Sequence, residues 1–237
     1  MNRTFSSDVI VALDFKNLEE TLAFLTPFSG HDQLYVKVGM ELYLQNGPQV
    51  LSAFKERGHR IFLDLKLHDI PNTVYGASKG LAQFKVDMLN FHAAGGKEML
   101  EAAKQGLIDG GSPETLAIAV TQLTSTSQEQ MQAEQLIPVD LVTSVRHYAQ
   151  LTKEAGLDGV VASVHEAPHI REVCGQDFAI VTPGIRLVGG HSQDQKRIAT
   201  PEVARQLGSS HIVVGRPITL ASDPVAVYDG ICQSFLK

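Results

Sequence analysis

Asp64 and Lys66 are the residues whose types and spacing most directly indicate chemistry, because they place opposite charges two positions apart in an apolar segment. Residues 61–65 predict a buried strand, and period-two alternation sends both charged side chains to the same face. A buried charge is costly unless it is paired, so an apolar strand that carries both charges indicates a function. A fixed ammonium can stabilise developing negative charge and then deliver a proton. The alternative interpretation is a structural ion pair without a chemical role.

Eight short apolar segments rich in β-branched residues predict the strands that must position this pair. They are residues 9–13, 34–38, 60–65, 88–91, 116–120, 159–164, 179–181 and 211–214. Segments with helical periodicity separate them, and Asn17 with Glu20 has the spacing of a capping box that starts one such helix. Regular alternation implies parallel strands with right-handed crossovers, and eight such units predict an α/β fold of the (β/α)8 TIM-barrel type.

The length of 237 residues predicts a single domain that spans residues 1–237, since one barrel of this type typically has about 250 residues. The competing architecture is a doubly wound open sheet. That sheet is disfavoured because Asp-Phe-Lys-Asn, residues 14–17, follows the first predicted strand in place of the glycine-rich fingerprint of a dinucleotide fold.

The composition excludes several classes of function. A net charge of −6 gives no basic surface for nucleic acid. No window approaches the ~20 apolar residues of a membrane span. The two cysteines, Cys174 and Cys232, lack the spacing of a zinc site or a disulfide framework. We therefore expect a cytoplasmic protein with reduced thiols that binds neither nucleic acid nor membrane.

Polar or glycine-rich residues follow nearly every predicted strand, at the end where barrel enzymes place their active sites. The candidate residues at these ends are Asp14, Lys37, Asp64, Lys66, His92, Thr124, Arg186, Gly215 and Arg216. Scattered surface charge would not follow this pattern, so it favours an active site over a structural ion pair. His68 and His92 are also consistent with hydrogen-bonded loop histidines, and Glu41 with a solvated carboxylate.

Gly215 and Arg216, after the eighth predicted strand, fit the capture of a phosphate group. Loops at this position often present backbone N–H groups to an anion, glycine permits close approach, and arginine adds a bidentate positive charge. Arg186 and Gln195 border the glycine-rich residues 188–191, which we expect to close over a ligand. The implied substrate is a phosphorylated small molecule.

Five segments of the chain resemble, in the same order, the motifs of the orotidine 5′-phosphate decarboxylase family. They are Val36-Lys37-Val38-Gly39, Asp64-Leu-Lys66-Leu-His-Asp69-Ile-Pro-Asn-Thr73, Thr121-Gln-Leu-Thr124-Ser, Thr182-Pro-Gly-Ile-Arg186 and Val214-Gly215-Arg216. The resemblance covers essentially the whole chain. It implies a (β/α)8 barrel, a homodimer with shared active sites, and conversion of orotidine 5′-phosphate to UMP and CO2 without a cofactor or a metal.

The resemblance also implies a role for each matching residue. Lys66 is similar to the lysine that protonates C6 of the pyrimidine, and Asp64 to the aspartate that faces the substrate carboxylate. Lys37 and Asp69 complete an alternating charge network, in which Asp69 and Thr73 resemble residues that reach into the site of the neighbouring subunit. The implied substrate contacts are Asp14 with a ribose hydroxyl, Thr124 with the pyrimidine, and Gln195, Gly215, Arg216 and Arg186 on the phosphate side.

Three other functions fit part of the pattern. A sugar-phosphate decarboxylase or synthase of the same barrel suprafamily uses magnesium, but such enzymes resemble Val-Glu-Val-Gly on strand two, where Lys37 would repel a divalent cation. An aldolase would use Lys66 as a Schiff-base nucleophile, although flanking Asp64 and Asp69 favour the protonated amine. A non-catalytic barrel would bind the phosphorylated ligand without turnover.

Overall fold

The computed structural model describes residues 7–31, 33–187 and 199–237, and eight parallel strands within them close into one barrel in chain order. The strands are β1 (Asp8–Ala12), β2 (Tyr35–Gly39), β3 (Arg60–Leu67), β4 (Met88–His92), β5 (Leu116–Val120), β6 (Gly159–Val161), β7 (Ala179–Thr182) and β8 (His211–Val214). Strand β1 pairs with both β2 and β8, which closes the barrel. The predicted (β/α)8 architecture is confirmed.

Helices connect the strands and cover the outside of the barrel. They are α1 (Leu18–Leu25), α2 (Met40–Asn46), α3 (Gln49–Lys55), α4 (Pro71–Leu81), α5 (Gly96–Asp109), α6 (Gln128–Glu134), α7 (Leu141–Glu154), α8 (Ala167–Cys174), α9 (Pro201–Gln206), α10 (Arg216–Thr219) and α11 (Pro224–Leu236). The predicted cap of α1 is confirmed, because Oδ1 of Asn17 accepts a 2.8 Å hydrogen bond from the backbone N–H of Glu20. In the described part of the chain, no helix is long and apolar enough to cross a membrane.

On β2, β3 and β4 the inward-facing positions change from large hydrophobic side chains in the barrel centre to polar side chains near the carboxyl end. The hydrophobic set is Tyr35, Phe62 and Met88, and the polar set, two residues further along each strand, is Lys37, Asp64 and Asn90. Because side chains alternate between the two faces of a strand, a spacing of two keeps each pair on the same side. The core therefore supports a polar layer directly above it.

The amino ends of the strands are closed by a cluster of structural interactions. Nη1 of Arg60 donates a 2.7 Å hydrogen bond to Oδ2 of Asp8, and its guanidinium lies 4.0 Å from the ring centroid of Tyr35. His211 is buried, and its ring packs edge-on against that of Tyr35 with centroids 6.2 Å apart. These contacts stabilise the end of the barrel opposite to the polar layer.

Candidate active site

A cavity of about 430 Å³ opens at the carboxyl ends of the strands, where barrel enzymes place their active sites. Eight of the site residues predicted from the sequence line it: Asp14, Lys37, Asp64, Lys66, Thr124, Arg186, Gly215 and Arg216. Six of these side chains are charged, four positive and two negative, although the chain as a whole carries a net charge of −6. The cavity is therefore suited to an anionic ligand.

Asp14, two residues after β1, and the charged side chains on β2 and β3 form a continuous row of alternating charge. Nζ of Lys37 lies between two carboxylates, 2.9 Å from Oδ1 of Asp14 and 3.3 Å from Oδ2 of Asp64. Nζ of Lys66 lies 2.7 Å from the other oxygen of Asp64, Oδ1. Asp64 thus holds one lysine on each of its oxygens, and the row runs from Asp14 to Lys66.

Neighbouring charges keep the two central residues of this row, Lys37 and Asp64, ionised although they are buried. Burial raises the pKa of the Asp64 carboxyl, but the charges of Lys37 and Lys66 and hydrogen bonds from Lys66 and Asn90 outweigh it, so the pKa lies below its usual value. Burial likewise lowers the pKa of Lys37, and the neighbouring Asp64 and Asp14 outweigh that effect and raise it. At neutral pH, the Lys37 ammonium and the Asp64 carboxylate therefore form a buried ion pair.

The backbone of β3 is irregular at the position where it presents its charges. Lys66 has a φ of 51°, in the left-handed region that residues other than glycine rarely adopt. Leu63 pairs with Leu89 and Leu67 with Phe91, so residues 64–66 lie opposite a single residue of β4. Asp64 and Lys66 do lie side by side, as predicted, but simple period-two alternation is not the reason. The bulge changes the direction in which the Lys66 side chain leaves the strand.

Asn90 is the residue opposite this bulge, and none of the sequence motifs includes it. Its Oδ1 accepts a 2.8 Å hydrogen bond from the backbone N–H of Lys66, and its Nδ2 donates a 2.6 Å hydrogen bond to Oδ1 of Asp64. The side chain is almost completely buried. The signal that could have identified Asn90 is a polar residue in the middle of the apolar segment 88–91, two positions after Met88.

Arg186, Gly215 and Arg216 line the cavity from the ends of the neighbouring strands β7 and β8. Arg186 follows β7, and its Nη1 donates a 2.8 Å hydrogen bond to the carbonyl of Ile185. Arg216 begins α10, directly after Gly215. A Cβ atom built at Gly215 would meet Ala12 at 3.4 Å, an ordinary contact, so contacts with neighbouring side chains do not require glycine there. The missing side chain instead leaves the cavity open at this point.

Two residues that the resemblance assigns to the site, Asp69 and Thr73, do not line this cavity. Asp69 is exposed, and its Oδ1 accepts a 2.6 Å hydrogen bond from the backbone N–H of Ile70. Thr73 is exposed in the first turn of α4. Gln195 and the glycine-rich residues 188–191 lie outside the described residues. The structure of one chain therefore leaves Asp69 and Thr73 on the surface beside the site.

The two histidines near Lys66 stack on each other, with ring centroids 5.5 Å apart and planes inclined by 20°. Burial lowers the pKa of His92, and the nearby His68 and Lys66 lower it further. Nδ1 of His92 has no hydrogen-bond partner among the described residues, so the expectation of a hydrogen-bonded loop histidine does not hold for that atom. Glu41 is exposed in the first turn of α2, as expected for a solvated carboxylate.

Comparison with known proteins identifies the family. The model of the orotidine 5′-phosphate decarboxylase / HUMPS family matches residues 7–231, which is nearly the whole chain. The chain belongs to this family. A relative from Lysinibacillus sphaericus named orotidine 5′-phosphate decarboxylase is 60% identical over 222 residues, covering 92% of this chain and 94% of the relative. A relative of the same name from Listeria monocytogenes is 57% identical over 229 residues, covering 95% and 97% of the two chains.

Two solved structures share the fold. The crystal structure of orotidine 5′-phosphate decarboxylase from Lactobacillus acidophilus is similar with a TM-score of 0.86 and 42% identity, covering 98% of this chain and 100% of that one. An uncharacterized conserved protein from Geobacillus kaustophilus gives the same TM-score with 49% identity, covering 96% and 99%. The resemblance inferred from the five sequence motifs is confirmed.

Proposed function

We propose that this protein decarboxylates orotidine 5′-phosphate to UMP and CO2 without a cofactor. The observation that carries the proposal is the Asp14–Lys37–Asp64–Lys66 charge chain, which ends with the Lys66 ammonium at a cavity that also receives Arg186 and Arg216. The relatives named above, at 57–60% identity, bear the name of this activity. The substrate carries a carboxylate and a phosphate, and the excess of positive charge in the cavity complements both.

Lys66 supplies the proton in the proposed reaction. The bond from C6 to the carboxylate breaks, CO2 leaves, and the electron pair stays on C6 in an orbital that lies in the plane of the ring. The π-system cannot delocalise this pair, so a preorganised positive charge must stabilise it. The Lys66 ammonium then transfers a proton to C6, and the resulting neutral amine regains a proton from water.

Asp64 positions the two lysines in this proposal. Its Oδ1 accepts from Lys66 and its Oδ2 lies 3.3 Å from Lys37, so each oxygen faces an ammonium. The paired lysines compensate the negative charge that Asp64 would otherwise direct at the substrate carboxylate. We therefore favour positioning of Lys66 over repulsion of the substrate as the main role of Asp64.

The other lining residues bind the parts of the substrate that do not react. Arg186, Gly215 and Arg216 line the cavity at the ends of the paired strands β7 and β8 and would bind the phosphate, with Gln195 as a further contact. Asp14 would accept a hydrogen bond from a ribose hydroxyl, and Thr124 would contact the pyrimidine. Binding energy from these remote contacts can hold the reactive group against Lys66.

We further propose that the enzyme is a homodimer in which Asp69 and Thr73 serve the active site of the partner subunit. Both residues are exposed in one chain, immediately beyond the strand that carries Lys66. Ile70 between them is 66% exposed, and a large exposed hydrophobic side chain at this position suits a protein interface. The free thiols Cys174 and Cys232 fit an enzyme of the reducing cytoplasm.

The test is the loss of orotidine 5′-phosphate absorbance on addition of the purified chain, with and without EDTA. Full activity in EDTA is expected, because the acidic residues Asp14 and Asp64 are already paired with ammonium groups. An absolute requirement for magnesium would instead indicate a sugar-phosphate enzyme of the same suprafamily. Trapping of a substrate adduct on Lys66 by borohydride would indicate Schiff-base chemistry, and binding of UMP without turnover would indicate a non-catalytic barrel.

A further inference from the structure

Asn90 lies at the one point of the barrel where β3 and β4 lose their regular pairing. Asn90 is the single residue of β4 opposite residues 64–66, so the backbone N–H of Lys66 has no backbone partner in the regular strand register. The side-chain Oδ1 of Asn90 takes that place at 2.8 Å, and the Nδ2 of the same amide donates to Asp64 at 2.6 Å. One buried side chain thus contacts both members of the Asp64–Lys66 pair.

The two partners fix the orientation of the Asn90 amide and require both of its ends. The N–H of Lys66 can only donate, so it faces the carbonyl oxygen, and the ionised Asp64 can only accept, so it faces the NH2 group. A hydroxyl is too short to bridge the two, and an aliphatic side chain would leave both partners unsatisfied in a buried position. An ionised carboxylate would place a like charge against Asp64.

The backbone of Lys66 needs such support because its φ of 51° is unfavourable for a residue with a Cβ. A left-handed lysine persists where the surrounding structure holds it, and here the Asn90 hydrogen bond lies directly on the strained peptide. Loss of that bond frees Lys66 to return to an extended conformation. The side chain would then leave the backbone in a different direction, so the ammonium would no longer be oriented as it is in the left-handed conformation.

We propose that Asn90 is a positioning residue for the reaction, which holds Lys66 in its left-handed conformation and orients Asp64 so that the Lys66 ammonium faces the substrate. This inference rests on the proposed decarboxylation. Asn90 acts through the other two residues. It determines the rate of the chemical step and contributes little to the affinity for the nucleotide.

The first test compares Asn90→Ala with wild type. We expect kcat to fall about 100-fold, as for a catalytic group misplaced by roughly 1 Å, with the Kd of UMP within threefold and a cooperative thermal transition. Ser210→Ala is the matched control, because Oγ of Ser210 also accepts from a buried strand N–H, that of Ile180 at 3.0 Å, but at the amino end of the barrel. It should lower stability and leave kcat unchanged.

Asn90→Asp gives a sharper readout that a merely structural role would not produce. When protonated, the introduced carboxyl has one donor and one acceptor, as the amide has, and it loses the donor on ionisation. Burial and the adjacent Asp64 raise its pKa. The other charged or titratable groups around it are Lys66 on β3, Lys37 beyond Asp64 on β2, and His92 on β4. We expect the ratio of its kcat to that of wild type to rise as the pH falls from 8.5 to 5.5, and the ratio for Asn90→Ala to stay flat.

A crystal structure of Asn90→Ala decides the geometric claim independently of activity. We expect Lys66 to leave the left-handed region and its ammonium to move away from Asp64. Wild-type turnover combined with an Asn90→Ala kcat within threefold of wild type, or a crystal structure in which Lys66 is unchanged, would overturn the inference. The inference would also be overturned if the fall in kcat equalled the fraction of Asn90→Ala protein that no longer binds UMP. Failure of wild type to turn over orotidine 5′-phosphate would count against the proposed function, and the crystal structure would still decide the role of Asn90.

Discussion

The ammonium of Lys66 lies 2.7 Å from Oδ1 of Asp64. The two residues are two positions apart on β3, and the strand bulges between them. A lysine has three N–H donors, and this contact uses one of them, which leaves donors to face the cavity. The geometry explains how a flexible side chain can be a fixed charge. It also makes Lys66 the residue with the largest expected effect on turnover.

We expect Lys66→Ala to lower kcat by at least about 10⁴-fold, because it removes both the proton donor and the fixed positive charge. UMP should still bind, since the phosphate side of the cavity is intact. Steady-state kinetics and calorimetric titration with UMP measure the two effects. Lys97→Ala is the control, as Lys97 is an exposed lysine on α5 that lies 3.9 Å from Glu101. Substantial turnover by Lys66→Ala would remove Lys66 from the mechanism.

A shared site predicts complementation between two inactive variants. Lys66→Ala and Asp69→Ala homodimers should each be nearly inactive, whereas a mixed dimer contains one intact site formed by Lys66 of one chain and Asp69 of the other. With equal amounts and random pairing, about half of the dimers are mixed, so roughly a quarter of wild-type activity should return. Activity is measured after subunit exchange has been verified by mass spectrometry of differently tagged chains. No recovery would place the function of Asp69 within its own chain.

Gly39 provides the space for the Lys37 ammonium. A Cβ atom at this position would lie 3.0 Å from Nζ of Lys37 and 3.2 Å from Oδ1 of Asp14, while the φ of −84° is acceptable for alanine. We expect Gly39→Ala to displace Lys37 and lower kcat/KM about 10-fold to 100-fold, since small misplacements of charged groups are costly in an active site. Gly230→Ala is the control, because a Cβ in that part of α11 meets nothing within 4 Å. Equal kinetics for both variants would contradict this account.

Arg216 should act through the phosphate of the substrate. We expect Arg216→Ala to lower kcat/KM for orotidine 5′-phosphate about 10-fold to 100-fold, which corresponds to the free energy of one charged hydrogen bond. The slow turnover of the nucleoside that lacks the phosphate should be unchanged. Phosphite dianion should partly restore turnover of that nucleoside by wild type. Arg146→Ala, which breaks an exposed 3.2 Å pair with Glu172, should behave as wild type. If phosphite has no effect, the Gly215-Arg216 loop contributes binding alone.

His211 should make the protein less stable in acid. Burial lowers its pKa from 6.5 to about 4, the charge of Asp8 opposes that shift, and Arg60 adds to it. The unfolded chain therefore binds a proton that the folded chain excludes, so stability is lost as the pH falls from about 6.5 towards 4. This residue alone should lower the free energy of unfolding by about 2 kcal/mol between pH 7 and pH 5.

Urea denaturation of wild type and His211→Gln at both pH values measures this effect of His211. The variant lacks the titrating group, so its free energy of unfolding should depend on pH less steeply by that amount. Parallel pH profiles for the two proteins would show that His211 is not the group responsible.

The architecture could be predicted from the sequence because it depends on repeated local patterns. Eight β-branched segments alternating with helical ones leave few topologies open, and the predicted strands agree with the observed ones to within a few residues. The largest difference is at β6, which ends at Val161 because residues 164–166 form a short helical turn in place of a longer strand. Strand β3 continues two residues further than predicted, to Leu67.

The sequence by itself determined which residue types lie at the carboxyl ends of the strands, because strand alternation and barrel closure bring those ends together. Eight predicted site residues line one cavity for that reason. The roles of Asp69 and Thr73 stay predictions, since they concern a second subunit.

Only the tertiary structure decided how Lys66 is presented. At the bulge its backbone is left-handed, and its backbone N–H donates a hydrogen bond to the side chain of Asn90, 24 positions away in the sequence. Local periodicity carries no information about such a contact, because it arises from the register between two strands that a helix separates. Which atoms meet at the site is set by packing across the barrel.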